Sequence, residues 1–518
     1  MADGTTTTMK NSSAPKDMRQ LNEQLGDKTK AHIEANIVRI TADKPPLDDC
    51  ECQEVKTTRP YEEGSLAKLL PETEPIKFPE LAKRYLKTEL LNARGEPRSP
   101  TRSEAVVAIV DHFKAVLEGA SFGIARLNGS LHIFHTDHWE PTNDDEIQST
   151  LGKFAQDLGH RLSEARHFQF RAELAKQLFS ACDTIHPEPG KSAVNFLNGT
   201  LHIDAKGERL EAHRQGDGLT YVLPFHYDTE ADCPQFDRYL ARVLPDSESQ
   251  TVLFEFLGWI FLRDLKLEKM LILYGSGHNG KSVLFDITTA LLGETNISAL
   301  SLESLKTPEK RLPLVGKLLN YGSEVSGNVA PDILKKASSG EPLEFRRLYG
   351  DPFTSPNYAR LAFNANTLPS ETEITDGFFR RFLIIPFEQT ITAEEKDPDL
   401  ASKIIANELP GVMNHVLDGM RRLRASRKFS PCRKADECLR TYQNECDTVA
   451  QFLEEEGWTA DPEGRKGKSE LFQEYSEYCT ASGFSRLNIK KFASRLKTHH
   501  RIKDGKSGPT RYWHLSHS

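Results

Sequence analysis

Between residues 246 and 392 the chain alternates short apolar runs with longer mixed stretches. Met270-Leu271-Ile272-Leu273-Tyr274 and residues 317–322, 360–366 and 382–387 read as four strands. Residues 252–262, interrupted only by Glu255, read as a buried helix ahead of the first strand, and Val283-Leu284-Phe285-Asp286-Ile287 opens a helix after it. Upstream, residues 104–117 carry apolar positions at helical spacing. Residues 124–127 and 131–134 flank Asn128-Gly129, a hairpin signal. Two further helices are predicted over residues 145–158 and 169–182, then a second hairpin over 193–203. A loop at residues 227–234 leads into Phe236-Asp237-Arg238-Tyr239-Leu240. Downstream, residues 400–423 read as one helix and 438–458 as one helix or a pair. Residues 469–480 and 489–499 read as two more, and residues 501–513 as two short strands.

The 518 residues exceed one ordinary domain. The pattern divides them into a polar tail over 1–60, disordered apart from one helix at 28–40, and an α+β module over 61–245. An α/β core over 246–425 and a helical linker with a terminal module over 426–518 complete the chain. A net charge of −8 gives no global attraction to nucleic acid, so such contacts must come from local basic patches. No apolar run is long enough to span a bilayer, and the opening segment lacks the apolar centre of a secretion signal. Eight scattered cysteines, with Cys50 and Cys52 off any zinc spacing, suit reduced thiols. A cytoplasmic location is therefore expected, with no membrane partner.

Candidate chemistry concentrates in Gly275-Ser276-Gly277-His278-Asn279-Gly280-Lys281-Ser282, set between a strand and a helix. Glycines let successive N–H groups turn inward around phosphates, and the helix adds its positive end. Lys281 is expected on the β- and γ-phosphates and the Ser282 hydroxyl on Mg2+, so the expected ligands are ATP and Mg2+. Glu324, just past the second strand, is the candidate catalytic and metal-associated carboxylate. Asn366 closes the third strand, where an amide senses a γ-phosphate by donating and accepting; Asn364, inside the strand, suits this less. Arg380 and Arg381 precede the fourth strand, either of them able to enter a neighbouring subunit's site. His132, His135 and His138 invite a metal reading, but strand alternation keeps the three from converging, which favours polar surface histidines.

The order of these elements resembles superfamily 3 helicases of the AAA+ class, in particular the helicase half of phage, plasmid and poxvirus-type primase–helicases. The resemblance covers most of the chain after about residue 190. It takes in residues 195–203, Cys233-Pro234 and Leu257-Gly258-Trp259. It implies an AAA+-type P-loop core, a ring, normally a hexamer, with ATP between subunits, and a basic hairpin gripping single-stranded DNA in the channel. That role falls on Lys335 and Arg346, with Lys336 and Arg347 beside them. Ser323 stands where many relatives carry a second acid, and Glu341 where aspartate is commoner. Residues 60–240 contain no strand bearing a close pair of metal-binding acids, so a separate primase is the expected partner.

The last 50 or so residues, helix, helix and hairpin, predict a winged helix. Lys490, Lys491, Arg495, Lys497, Arg501, Lys503, Lys506 and Arg511 are opposed there by Asp504, which favours DNA phosphates over a protein partner. The leading expectation is an ATP-dependent DNA helicase of a phage or other mobile element, in a bacterial cytoplasm. The rival is an initiator that uses ATP as an assembly switch on origin DNA and unwinds nothing. A small P-loop kinase fits the length and the basic terminus poorly. A complete primase–helicase would need a polymerase site not legible here.

Overall fold

Capping and turn chemistry set the amino-terminal elements. The computed structural model describes residues 78–87, 89–185, 192–204, 207–262, 264–322, 331–347, 351–368, 376–484 and 486–517. The expected helix at 28–40, Cys50, Cys52, Ser323 and Glu324 lie outside them. Helix α1 (Arg102–Gly119) starts on a capping box: Glu104 N–H donates to the Thr101 hydroxyl, and Thr101 N–H donates to the Glu104 carboxylate. Strands β1 (Gly123–Leu127) and β2 (Ser130–Phe134) pair through Asn128 and Gly129, both at positive φ (51° and 79°), as a tight hairpin demands. β3 (Trp139–Pro141) adds to β2. Helices α2 (Asp144–Asp157) and α3 (Phe168–Ala181) close over this sheet around Phe113, Phe154 and Phe170.

A second antiparallel sheet follows: β4 (Ser192–Phe196), β5 (Gly199–Asp204) and β6 (Gly207–Glu211). β6 was not expected, because its residues are polar and exposed, so no apolar alternation marks them. Helix α4 (Pro234–Val243) begins with proline in its first turn, where a missing N–H costs nothing. α5 (Ser247–Trp259) starts five residues before the apolar run, because the Asp246 side chain accepts from Ser249 N–H and caps it. Glu255 is fully buried in α5 and accepts from the Ser430 N–H and hydroxyl at 2.8 and 2.6 Å.

The core sheet is parallel. β7 (Met270–Tyr274) leads to α6 (Lys281–Leu292), then β8 (Ile297–Ser298) and β9 (Leu319–Gly322). α7 (Pro331–Ser339) and the antiparallel pair β10 (Leu343–Arg346) and β11 (Pro352–Ser355) interrupt the run before β12 (Arg360–Ala365) and β13 (Phe382–Pro386). The spatial order is β13-β7-β12-β9-β8. Because both faces are covered, β7, β12 and β13 read as continuous apolar runs rather than alternating ones.

The expected helix at 400–423 is two, α8 (Leu400–Asn407) and α9 (Leu409–Ser426). Pro410 cannot donate into a continuous helix, so the chain restarts around it. Gly419 of α9 lies against the Phe254 backbone and Gly258 against that of Met420, so α5 and α9 approach closely. The stretch at 438–458 also divides, into α10 (Arg433–Glu445) and α11 (Thr448–Glu455), where Asp447 accepts from Val449 and Ala450 N–H. β14 (Trp458–Ala460), β15 (Lys466–Gly467), α12 (Lys468–Ala481), α13 (Ile489–Thr498), β16 (Asp504–Ser507), β17 (Thr510–Trp513) and β18 (Leu515–His517) complete the chain. Phe452, Leu471, Tyr475, Phe492, Leu496 and Trp513 form the core of this terminal module.

Candidate nucleotide site and basic surfaces

The glycine-rich loop leaves the buried strand β7 at Tyr274 and enters α6 at Gly280, whose φ of +83° supplies the turn into the helix. Two ties hold it to the sheet: Gly275 N–H donates to Ala365 O at 3.0 Å, and Asn279 Nδ2 to Phe387 O at 3.2 Å. Ser276, Gly277 and His278 are exposed, and a Cβ at Gly277 would meet open space. The loop's convex side is packed and its rim is free to receive a ligand.

Lys281 lies inside this loop, 7% exposed. Its ammonium donates to Gly275 O (2.6 Å), Ser276 O (3.3 Å), Asn279 Oδ1 (3.0 Å) and Asn366 Oδ1 (3.3 Å). Burial pulls its pKa below the usual lysine value. The contact with Asn366 follows from topology, since β12 inserts between β7 and β9 and carries its tip to the loop. Asn364 instead accepts from the Tyr321 hydroxyl at 3.2 Å, within the sheet. Ser282 is exposed in the first turn of α6. Asn279, expected to face phosphate with its neighbours, is buried, and its amide braces the loop.

The two arginines before β13 differ in burial but share a partner, since Arg381 also lies 3.4 Å from the Glu268 carboxylate. Arg381 is buried: its guanidinium donates to Gly377 O and, at 3.4 Å, to Ser339 Oγ, while its own carbonyl accepts from Met270 N–H in the sheet. Arg380 is exposed and pairs with Glu268 at 2.9 Å. Both precede β13; the Met270 N–H bond to the Arg381 carbonyl holds that residue against β7, while Arg380 stays at the surface.

Several of the basic residues expected on DNA are paired within the chain. Lys335 lies 3.6 Å from Asp332, and Arg346 3.8 Å from Glu309. Arg347 reaches Asp144 of α2 at 3.4 Å. Lys336 is exposed. The expected hairpin is β10–β11, which carries Arg346 at its end, whereas Lys335 and Lys336, expected with it, lie on helix α7; the hairpin sits beside the β1–β2 turn, where Asn357 donates to Asn128 at 3.0 Å. In the terminal module Arg495 turns toward Asp447 (3.6 Å), and Asp504 takes both Lys468 and Lys497. Lys490, Lys491, Lys503, Lys506 and Arg511 are exposed. Arg495 is half-buried rather than exposed: it stands three residues after buried Phe492, on the same side of α13, which brings its guanidinium to Asp447.

His132, His135 and His138 are not the surface histidines expected: the first is buried and the other two half-buried, because the strand and loop that carry them pack into the module. His132 is buried against Ser130 O, and His138 pairs with Asp137 at 2.6 Å. Among the described residues, ligand atoms gather within 4.8 Å at Cys233–Asp237–His415 and at Asp246–Glu248–Cys432. The polar groups of these sets also serve the fold, since His415 bonds Asp237 and Asp246 caps α5. No described helix is long and apolar enough to cross a membrane.

Sequence inspection passed over Tyr239 and Val243 of α4, which press on the loop from behind. No local motif marks them; they surface only when α4 is placed in space.

Residues 124–245 match a family model described as D5 N terminal like, and residues 273–381 one described as a family of unknown function (DUF5906). Among solved structures, the apo C-terminal region of NrS-1 (305–718) is similar at 14% identity and a TM-score of 0.46, covering 78% of this chain and 98% of that one. A JCV helicase crystallised with a phenylacetamide compound is similar at 15% identity and a TM-score of 0.26, covering 36% and 59%. Both likenesses are distant.

Proposed function

We propose that this chain is an ATP-driven, ring-forming DNA helicase of the superfamily 3 (AAA+) type, serving replication of a phage or other mobile element. One observation carries the reading: the Lys281 ammonium bridges the glycine-rich loop and Asn366 at the tip of the adjacent parallel strand. A lysine that joins a phosphate cradle to a γ-phosphate sensor is the core of a nucleotide-hydrolysing site. The D5 N terminal like match ahead of this core supports the same reading.

The donor set suits ATP with Mg2+. The exposed loop rim offers backbone N–H groups at the positive end of α6, Lys281 supplies charge, and the exposed Ser282 hydroxyl is a hard oxygen ligand for the ion. Bound Mg2+ would offset charge on the β- and γ-phosphates. Lys281 would exchange its loop carbonyls for phosphate oxygens, and Asn366, released from it, would read the γ-phosphate. Glu324 is assigned the water-orienting carboxylate on sequence position alone. The arginine acting on a neighbouring subunit is assigned to Arg380, the exposed member of the pair, with Arg381 holding β13 and α7 together. The terminal module is read as a winged helix whose exposed Lys490, Lys491, Lys503, Lys506 and Arg511 meet DNA phosphates. A separate primase and a hexameric ring complete the proposal.

The test is ATP hydrolysis and strand displacement on forked DNA, comparing wild type with Lys281→Ala. Loss of both activities in the variant supports the motor. ATP-dependent assembly on DNA without unwinding, in wild type, favours the switch-like initiator instead.

A further inference from the structure

We infer that Tyr239 is a positioning residue of the phosphate loop, by which helix α4 fixes the direction of the first backbone N–H of α6. The inference rests on the nucleotide-binding reading above and goes beyond it in naming what aims the cradle. The Tyr239 hydroxyl donates to Gly280 O at 2.9 Å, among the described residues the one side-chain donor to a carbonyl that also accepts the Val283 and Leu284 N–H groups of α6 at 3.0 and 3.3 Å. Burial pushes the tyrosine pKa up, so the group stays a donor. A peptide unit is planar, and the Gly280 carbonyl shares its plane with the Lys281 N–H, which points the opposite way. Holding the carbonyl from behind therefore aims that N–H toward the side where phosphate would sit.

Three further observations place α4 as the support of this loop. A Cβ on Gly280 would lie 2.6 Å from Val243 Cγ1 and 3.4 Å from Tyr239 Cε2, so α4 fills the space directly behind it. Arg242, on the same helix, donates to Thr390 O at 2.9 Å and pairs with Glu395, while the next residue, Ile391, donates its N–H to His278 O at 2.8 Å. At the other end the buried Glu408 carboxylate accepts from the Gln235 and Phe236 N–H groups at 3.1 and 2.9 Å, capping the helix where its dipole is positive. Anchored at both ends, α4 transmits the position of its own module to Gly280.

Tyr239→Phe removes the hydroxyl and keeps the ring. The probe is a fluorescent ADP analogue with Mg2+, titrated onto the full chain, with KM and kcat for ATP and the nucleotide-free melting temperature measured in parallel. An N–H that contacts phosphate equally in ground and transition states contributes uniform binding. The expected result is about a tenfold rise in Kd and KM, the scale of one buried hydrogen bond, with kcat and melting temperature close to wild type. Val243→Ala, which keeps the hydroxyl and opens space behind Gly280, is expected to weaken binding by about threefold. Unchanged affinity in both variants, or a lowered melting temperature with unchanged KM, overturns the inference and leaves the nucleotide reading standing. A wild-type chain that binds no nucleotide overturns that reading and this inference with it.

Discussion

The phosphate loop sits at the start of α6, whereas the basic residues of α13 run to its last turn, and the two sets of charges are held in different ways. At the loop, Lys281 is surrounded by oxygens from Gly275, Ser276, Asn279 and Asn366, most of them within its own motif. At α13, Arg495 is taken up by Asp447 and Lys497 by Asp504, while Lys490 stays exposed. A site made from backbone turns draws most of its lysine's partners from its local sequence. A site made from surface charge depends on which acids the fold brings alongside.

The largest expected effect tests the loop. Lys281→Ala should abolish ATP hydrolysis, since no other described cation contacts the loop oxygens and neutral alanine leaves phosphate charge unopposed. Next come the paired arginines. Arg380→Ala should lower hydrolysis by about a thousandfold and poison mixed rings, leaving the melting temperature unchanged. Arg381→Ala should instead destabilise the fold by about 2–4 kcal/mol, because it removes a buried cation from Gly377 O, Ser339 and the Glu268 carboxylate it shares with Arg380. Thermal melting and subunit-mixing assays separate the two, and an exchange of these outcomes would reverse the assignment.

A third prediction concerns pH. His132 is buried beside the Arg347 guanidinium, and both effects hold its pKa down, at about 4. The folded chain therefore binds fewer protons than the unfolded chain between about pH 4 and 6.5, so stability rises with pH across that window. It should be complete above about pH 6.5 and fall by about 3 kcal/mol as pH drops to 4. Arg347→Ala should shrink that loss in a pH series of denaturant melts. The effect should be small, because burial is the larger cause of the shift.

The smallest effect reads the basic face. Lys490→Ala with Lys503→Ala should weaken DNA binding and reduce the slope of log affinity against log salt by about 2. Arg495→Ala should lower the module's melting temperature and leave the slope alone, since its charge already meets Asp447.

The sequence by itself determined the parts governed by short-range physics. The strand–loop–helix from Met270 to Leu292, the Asn128-Gly129 hairpin, the helices after Thr101 and Asn143, and the helix–helix–hairpin order of the terminal module were all legible. Each depends on periodicity, a cap or a positive-φ turn within a few residues. β6 was not legible because an exposed strand carries no apolar alternation, and the split at Pro410 was missed because the apolar spacing runs on through it. Tertiary structure alone decided the rest. It placed β12 between β7 and β9 and so brought Asn366 to Lys281, buried Arg381 while exposing Arg380, and gave Arg347 to Asp144. It also set Tyr239 behind Gly280, 41 residues away in sequence. Such pairings belong to how elements pack against one another, and the residues between them in sequence carry no trace of it.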